Sequence, residues 1–486
     1  MGSKVVKNYI YNLIYQVTML LIPLVTAPYL ARILGVDGIG IYSYYYSVAY
    51  YFGLFVMLGI NNYGNRSIAK CLGDQDKINK VFCEIYSMQL ILGLVVFLAY
   101  MCYSLMICKE RLIALSYVPF IISYILDVNW LFFGQENFKI VLLRNVFIKL
   151  VTMVAIFSFV HQPSDVVIYI IIMSMGALCS QIIVWFVVFK KCKFVPVGLK
   201  DIIYHLKPNL VLFIPVVAVS IYRTMDKIML GTMANMAQVG YYENAEKIIS
   251  ILLSFITALG TVMLPRMTAL YESENKTQIE KMIRESIVFV SLASSIVGFG
   301  VASVANDLVI VYYGKDYLPS GVLLQILCVT VPFISYANVV RMQILVPQGK
   351  DKVYVWSCVI GAIVNLILNA LLIPTLQAIG AAIGTVAAEF MVLVVQIVNA
   401  KKDMCIGQSL KSIVLFIING MIMCVSVCLI GNCLERGWVS LLLKVLCGAL
   451  VFVLMLLLQW KVFKDCYIDE LVQKICKRVK KGCFSD

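Results

Sequence analysis

Charged side chains make up only 14% of this 486-residue chain, and histidine occurs just twice. Soluble globular domains carry about 25% charge. At 62% hydrophobic residues and a mean hydropathy of +0.93, the chain has more apolar surface than a soluble core can take up. That excludes a soluble domain and implies a polytopic membrane protein. His161 and His205 stand alone in the sequence and no Cys-x-x-Cys pair occurs, so neither a zinc site nor a disulfide framework is expected. Most cysteines, such as Cys102, Cys328 and Cys447, lie in apolar runs and serve there as small apolar groups. The chain also lacks a Walker A loop, an HExxH helix and a nucleophile elbow, which removes support for ATP-driven or covalent chemistry. The longer hydrophilic pieces (61–80, 190–208, 265–285 and the C-terminal tail) are too short for a separate soluble domain. They also rule against the sizeable external loop that a membrane glycosyltransferase or polymerase needs for its carboxylates. A net charge of +14 invites a nucleic-acid partner, but that requires an exposed basic face. The placement of the cations accounts for it differently.

What the chain does contain is a succession of long apolar runs. Fourteen segments reach the roughly 20 residues needed to cross a bilayer, at 9–34, 39–62, 81–107, 112–133, 140–160, 166–189, 209–231, 239–264, 286–311, 318–346, 353–374, 378–399, 412–430 and 438–460. Pro23, Pro215 and Pro332 fall within them, which membrane helices tolerate because neighbours re-satisfy the freed backbone groups. The first run is too long for a signal-peptide core and has no Ala-x-Ala cleavage site, so it reads as a retained span. With the N-terminus in the cytoplasm, 28 of the 40 lysines and arginines fall in cytoplasmic segments, 4 in external loops and 8 within spans. This positive-inside bias places both termini in the cytoplasm and turns the basic loops toward anionic lipid.

The two halves carry a repeated pattern. The first span holds Pro23, ends at Leu34-Gly35 and is followed by a Gly40-Ile41-Tyr42 helix start. The seventh holds Pro215, ends at Leu230-Gly231 and is followed by Gly240-Tyr241-Tyr242. An offset of six spans, an even number, makes the repeats parallel, related by an axis along the membrane normal. The implied organisation is an N-terminal lobe at 1–198, an amphipathic cytoplasmic linker at 199–208 and a C-terminal lobe at 209–400. Two further spans occupy 401–460, and a basic tail follows at 461–486.

Charge within the spans is concentrated between Pro208 and Arg266, where one apolar helix carries Arg223, Asp226 and Lys227 and the next carries Glu243, Glu246 and Lys247. An ionised group at the bilayer centre costs roughly 2.5–3.5 kcal/mol, so such groups pair or face water. Spacing allows Arg223 to pair with Asp226 and Glu243 with Lys247. The expectation is a helix pair lining a wet pathway through a transporter, against the alternative of a self-neutralised cluster that pins the two helices together. Candidate substrate-binding cations are Arg32, Arg144, Lys149, Arg223, Lys227, Lys247 and Arg341. For Arg32 and Arg144, snorkelling to the interface is the competing account. Asp127, Asp226, Glu243 and Glu389 are candidate sites for a coupling proton or sodium ion; at Asp127 and Glu389 a protonated, hydrogen-bonded carboxyl is the alternative. Asn365 and Asn369 read as hydrogen-bonding glue between helices. The tyrosine run from Tyr42 to Tyr51 reads as an interfacial belt, with sugar stacking as the second reading.

Seven stretches, in order, resemble the polysaccharide-transport (Wzx-like) branch of the MOP flippase superfamily. They are PYLARILGVDGIGIYS, LGINNYGNRSIAK, DKIMLGTMANMAQVGYYENAEKI, LPRMT, VYYGKDY, QILVPQGK and GAIVNLILNALLIPTLQAIGAAIGTVAAE, between residues 28 and 389. The resemblance implies an all-α fold of about 14 transmembrane helices, with two pseudo-symmetric six-helix lobes around a central cavity plus two C-terminal helices. It implies no enzyme activity and no cofactor beyond a coupling H+ or Na+. The substrate it implies is an undecaprenyl-pyrophosphate-linked oligosaccharide, carried across a bacterial cytoplasmic membrane by alternating access. A polymerase and glycosyltransferases of the same pathway would be partners. Arg32 falls in the family's A-R-x-L-G stretch, Asp226 in D-x-x-x-L-G and Glu389 at the end of G-A-A-x-x-T-x-x-x-E. A drug/cation antiporter and a lipid II flippase of the same superfamily are the nearest other readings.

Overall fold

The computed structural model describes residues 2–401, 409–431, 435, 437–462 and 467–469. The expected basic tail at 461–486 lies largely outside these, as does 402–408. No strand occurs among the described residues. The first half contains α1 (Gly2–Met57), α2 (Ile60–Ala69), α3 (Gln75–Cys102), α4 (Arg111–Ser116), α5 (Val118–Ile125), α6 (Asn129–Gly134), α7 (Phe138–Phe159), α8 (Val166–Lys191), α9 (Leu199–Tyr204) and α10 (Leu206–Met233). The second contains α11 (Met236–Glu272), α12 (Lys276–Tyr312), α13 (Leu318–Cys328), α14 (Thr330–Val340), α15 (Asp351–Leu376), α16 (Ala378–Ala400), α17 (Leu410–Gly431) and α18 (Trp438–Lys461).

Among the described residues, twelve helical segments are long and apolar enough to cross a membrane, or thirteen when the pair Lys315–Cys328 and Thr330–Leu345, bent by 40°, counts as one span. One of the twelve, Leu21–Ala69, has 49 residues. As a straight helix it would be roughly 74 Å long, more than twice the hydrocarbon thickness. It divides instead at Gly35, whose φ of 68° and ψ of −179° break the helix at the place where the sequence separates its first two spans. Glycine adopts that positive φ without the steric cost that other residues meet. The division at Gly35 brings the candidate spans close to the expected number of about fourteen.

The chain forms two compact units, Met1–Gly240 and Tyr241–Asp486. In the first, the fourth span is not the single helix expected over 112–133. It is interrupted between α5 and α6, and the interruption is chemically lined. Gln89 Nε2 donates to the carbonyls of Tyr124, Ile125 and Asp127 at 2.9, 3.2 and 2.8 Å. Trp185 Nε1 donates to the Leu126 carbonyl at 2.9 Å. The Trp130 indole donates back to Gln89 Oε1 at 3.2 Å, and the Asp127 carboxylate accepts from the Asn129 N–H at 2.9 Å. A membrane interior offers no water to freed carbonyls, so a break survives there only with such partners. At the α2–α3 turn, Asp74 caps α3 by accepting from the Lys77 N–H at 3.1 Å. The Lys77 side chain beside it holds the Asp74 carboxyl below the usual range.

The two glycine-led helix starts of the sequence repeat meet within this first unit. A Cβ on Gly40 would run into the carbonyl of Met236, and one on Gly240 into the carbonyl of Val36. Each partner lies four residues before the opposite glycine, so the contact is reciprocal. Backbone meets backbone there, which only glycine permits.

In the second unit α12 packs against α13, α14, α17 and α18. A row of buried serines (Ser286, Ser291, Ser294 and Ser295) lines part of its surface. A buried ion pair ties α18 to it: Lys444 Nζ of α18 donates to Asp307 Oδ2 of α12. Breaking a buried pair leaves an uncompensated charge and costs about 3–5 kcal/mol, whereas replacing both partners by apolar groups is often neutral. Asp307→Ala is therefore expected to lower thermal stability in detergent sharply. Asp307→Leu combined with Lys444→Met should recover most of the loss. Alongside, α15 and α16 pack closely, and Asn369 Nδ2 donates to Asn365 Oδ1 at 3.1 Å within α15. This bond runs along one helix, and Asn369 Oδ1 also sits against Gly384 of α16.

Candidate functional site: cations and tyrosines within the spans

The tyrosine run lies along α1 and forms a ladder. Rings of Tyr42 and Tyr46 stack at 5.9 Å and 22°, and those of Tyr46 and Tyr50 at 6.3 Å and 21°. The i,i+4 spacing sets them on one helix face. Tyr169 of α8 and Phe120 of α5 close on the ladder at 4.6 and 5.3 Å, and the Tyr117 hydroxyl donates to the Tyr42 carbonyl at 2.8 Å. The run is thus part of the first unit's helix packing.

At the end of this ladder stand the charges of α10. Arg223 is exposed, Lys227 half-buried and Asp226 only 2% exposed. Arg223 lies within electrostatic reach of Tyr50, and Asp226 of Tyr51. A cation, a carboxylate and two phenol hydroxyls therefore share one region of the first unit. This set can hold an anion at Arg223 while hydrogen-bonding hydroxyl groups through the tyrosines.

Arg144 does not snorkel. It is 6% exposed, and its guanidinium donates to Asn129 Oδ1 at 3.1 Å, Asn145 Oδ1 at 2.7 Å and Gln181 Oε1 at 3.4 Å. Asp127 feels its charge. The structure thus brings Asp127 and Arg144 together at the break in the fourth span. Lys149, half-buried, lies further along α7, and Arg32 is exposed on α1.

In the second unit, Arg341 opens a π-helical turn, Arg341–Leu345. Such turns concentrate at functional sites. Its guanidinium lies 5.0 Å from the Tyr354 ring centroid, while Nε is buried without a hydrogen-bond partner. Cys358 feels both Arg341 and Glu389, which places the two candidates in one neighbourhood formed by the π turn, α15 and α16. Glu243, Glu246 and Lys247 are half-buried on α11, with Glu243 within electrostatic reach of Tyr313. No group of three or more His, Cys, Asp or Glu side chains suited to a metal ion occurs among the described residues.

One buried polar group escaped the sequence analysis. His205, isolated in the sequence, faces Glu84 at 2.9 Å through Nε2 and the Tyr63 hydroxyl at 2.8 Å through Nδ1. Lys80 approaches Glu84 at 3.8 Å, and Asn209 donates to the His205 carbonyl at 2.8 Å. These bonds clamp the start of α10 to α2 and α3. Leaving one such group unsatisfied costs about 1–3 kcal/mol. His205→Ala should therefore raise maleimide labelling of the neighbouring buried Cys83 and Cys192 about 5- to 150-fold, read by mass spectrometry in native membranes.

Residues 5–271 match the family described as polysaccharide biosynthesis protein. A protein of Shigella dysenteriae named as an O-antigen transporter is 30% identical over 384 residues, covering 77% of this chain and 94% of that one. A protein of the same name from Escherichia coli (strain K12) is 26% identical over 391 residues, covering 79% and 94%. Among solved structures, the lipid II flippase MurJ in an inward closed conformation has a TM-score of 0.70 at 16% identity, covering 91% of this chain and 99% of that one. That last likeness is one of fold. The match across more than half the chain, with relatives aligned along nearly all of their length, leaves one assignment: the chain belongs to the polysaccharide biosynthesis protein family, in the polysaccharide-transport branch of the MOP superfamily, as a multi-pass membrane transporter and not an enzyme.

Proposed function

We propose that the protein flips an undecaprenyl-pyrophosphate-linked oligosaccharide from the inner to the outer leaflet of a bacterial cytoplasmic membrane, for assembly of a surface polysaccharide. The observation that carries this reading is the grouping of Arg223, Lys227, Asp226, Tyr50 and Tyr51 within apolar helices of a chain from a polysaccharide-transport family. A pyrophosphate calls for cations, and sugars call for hydroxyls and aromatic faces. A polyprenyl tail needs neither and stays in hydrocarbon. In this reading Arg223, Lys227, Lys149 and Arg341 contact the anionic substrate, with Arg32, Arg144 and Lys247 as further cations of the route. Asp226, Glu243, Asp127 and Glu389 are the places for a coupling proton or sodium ion. The lobes 1–198 and 209–400 rock around the site, with both termini cytoplasmic. Glycosyltransferases would supply the substrate and a polymerase would consume the product.

The test uses a strain whose surface polysaccharide depends on this gene. Deletion should abolish the polymer while the lipid-linked repeat unit accumulates out of reach of a glycosidase added to spheroplasts. Expression of the chain should restore both. Equal access of the glycosidase to lipid-linked units with and without the protein would overturn the proposal.

A further inference from the structure

The segment between α8 and α10 has two unlike faces. One face is pinned to α3. The Lys191 carbonyl accepts from Gln75 at 3.2 Å, the Lys193 N–H donates to Asn79 Oδ1 at 3.1 Å, and the Val195 N–H donates to Cys83 Sγ at 3.3 Å. Ile202 is buried and His205 is clamped by Glu84 and Tyr63. The linker is therefore a built element, and its orientation is fixed.

The opposite face is apolar and open. Leu199, Ile203 and Tyr204 are 71%, 63% and 73% exposed, and Phe194 precedes them, also exposed. Lys190, Lys191, Lys193, Lys200 and Lys207 are all exposed around it, against one carboxylate, Asp201. The apolar surface runs on into exposed Phe189 at the end of α8 and Val211 at the start of α10, both in segments long and apolar enough to cross a membrane. Large aliphatic groups ringed by lysines at the end of two spans match an element lying in the membrane interface.

We propose that this face of the linker is a docking surface for anionic phospholipid headgroups. Its apolar side chains lie at the boundary between headgroups and acyl chains, and the five lysines contact lipid phosphates. Each lysine close to an anionic surface strengthens such binding about fivefold. Because the linker leads directly into α10, lipid charge then sets how firmly the helix bearing Arg223, Asp226 and Lys227 is held at its start. This inference rests on membrane embedding alone and is independent of which substrate is carried.

The experiment places the full-length protein in phosphatidylcholine nanodiscs containing a photoactivatable analogue of either phosphatidylglycerol or phosphatidylcholine, with the diazirine near the glycerol end of the acyl chain. Adducts are mapped by mass spectrometry. The expected result is labelling of the 194–204 peptide by the phosphatidylglycerol analogue well over about 25-fold above the phosphatidylcholine analogue. Unlabelled phosphatidylglycerol should suppress it, and Lys200→Gln with Lys207→Gln should reduce it about 25-fold. Both variants leave the clamp untouched. Equal labelling by the two analogues, no labelling of this peptide, or its capture by a protein during crosslinking in cells would each overturn the proposal.

Discussion

Replacing Arg223 with alanine is expected to lower export about 10- to 150-fold while the protein remains in the membrane at its usual level. The magnitude follows from losing one charge-assisted hydrogen bond to a phosphoryl oxygen, about 1.5–3 kcal/mol. The sign on stability separates function from packing. An arginine at hydrocarbon depth costs roughly 2.5–3.5 kcal/mol, so a residue with no task there should be dispensable, and its removal should leave the fold as stable or more so. If Arg223 instead served to neutralise Asp226, its loss would strand a carboxylate that is 2% exposed and destabilise the protein. Export and thermal stability of the Arg223→Ala and Arg223→Lys variants, measured together, distinguish the two. Lost export at unchanged stability, partly rescued by lysine, is the outcome that the grouping with Tyr50 predicts. Full export by the alanine variant would remove Arg223 from the route.

Gly40→Ala and Gly240→Ala should each reduce export at least about tenfold. The added methyl would overlap a backbone carbonyl, of Met236 in one case and Val36 in the other. Carbonyl groups within helices cannot yield as a flexible side chain does, so the two helix starts must separate. Overpacking of this kind costs about 1–3 kcal/mol. A cysteine pair placed at Val36 and Gln238, flanking the contact, should crosslink in the otherwise unaltered chain and lose that crosslink in both alanine variants. Unimpaired crosslinking and export in the variants would show that the close approach is not needed during the transport cycle.

Membrane crossings were legible because their signal is local: length, hydropathy and lysine placement within a few tens of residues. The Gly35 break was legible for the same reason. The clamp and the ion pair were not. Glu84 and His205 are 121 residues apart, and Asp307 and Lys444 are 137 apart. Spacing rules reveal partners three or four positions away and are silent beyond that. The interruption at Asp127 was hidden as well, since residues 112–133 are apolar enough to read as one helix. Its cause, the side chain of Gln89, lies on another span. The packing of the tyrosine ladder was hidden too, because its partners Tyr169 and Phe120 come from other helices that only the tertiary structure brings to it.

The Lys444–Asp307 pair bears on how the chain is made. At 5–20 residues per second, a ribosome reaches Lys444 roughly 7–27 s after Asp307. During that interval α12 has left the translocon with a carboxylate that has no counter-charge in place. Only arrival of α18 completes it. A product truncated before α18 would keep this defect permanently, giving membrane proteases a chemical mark by which to tell an unfinished transporter from a finished one.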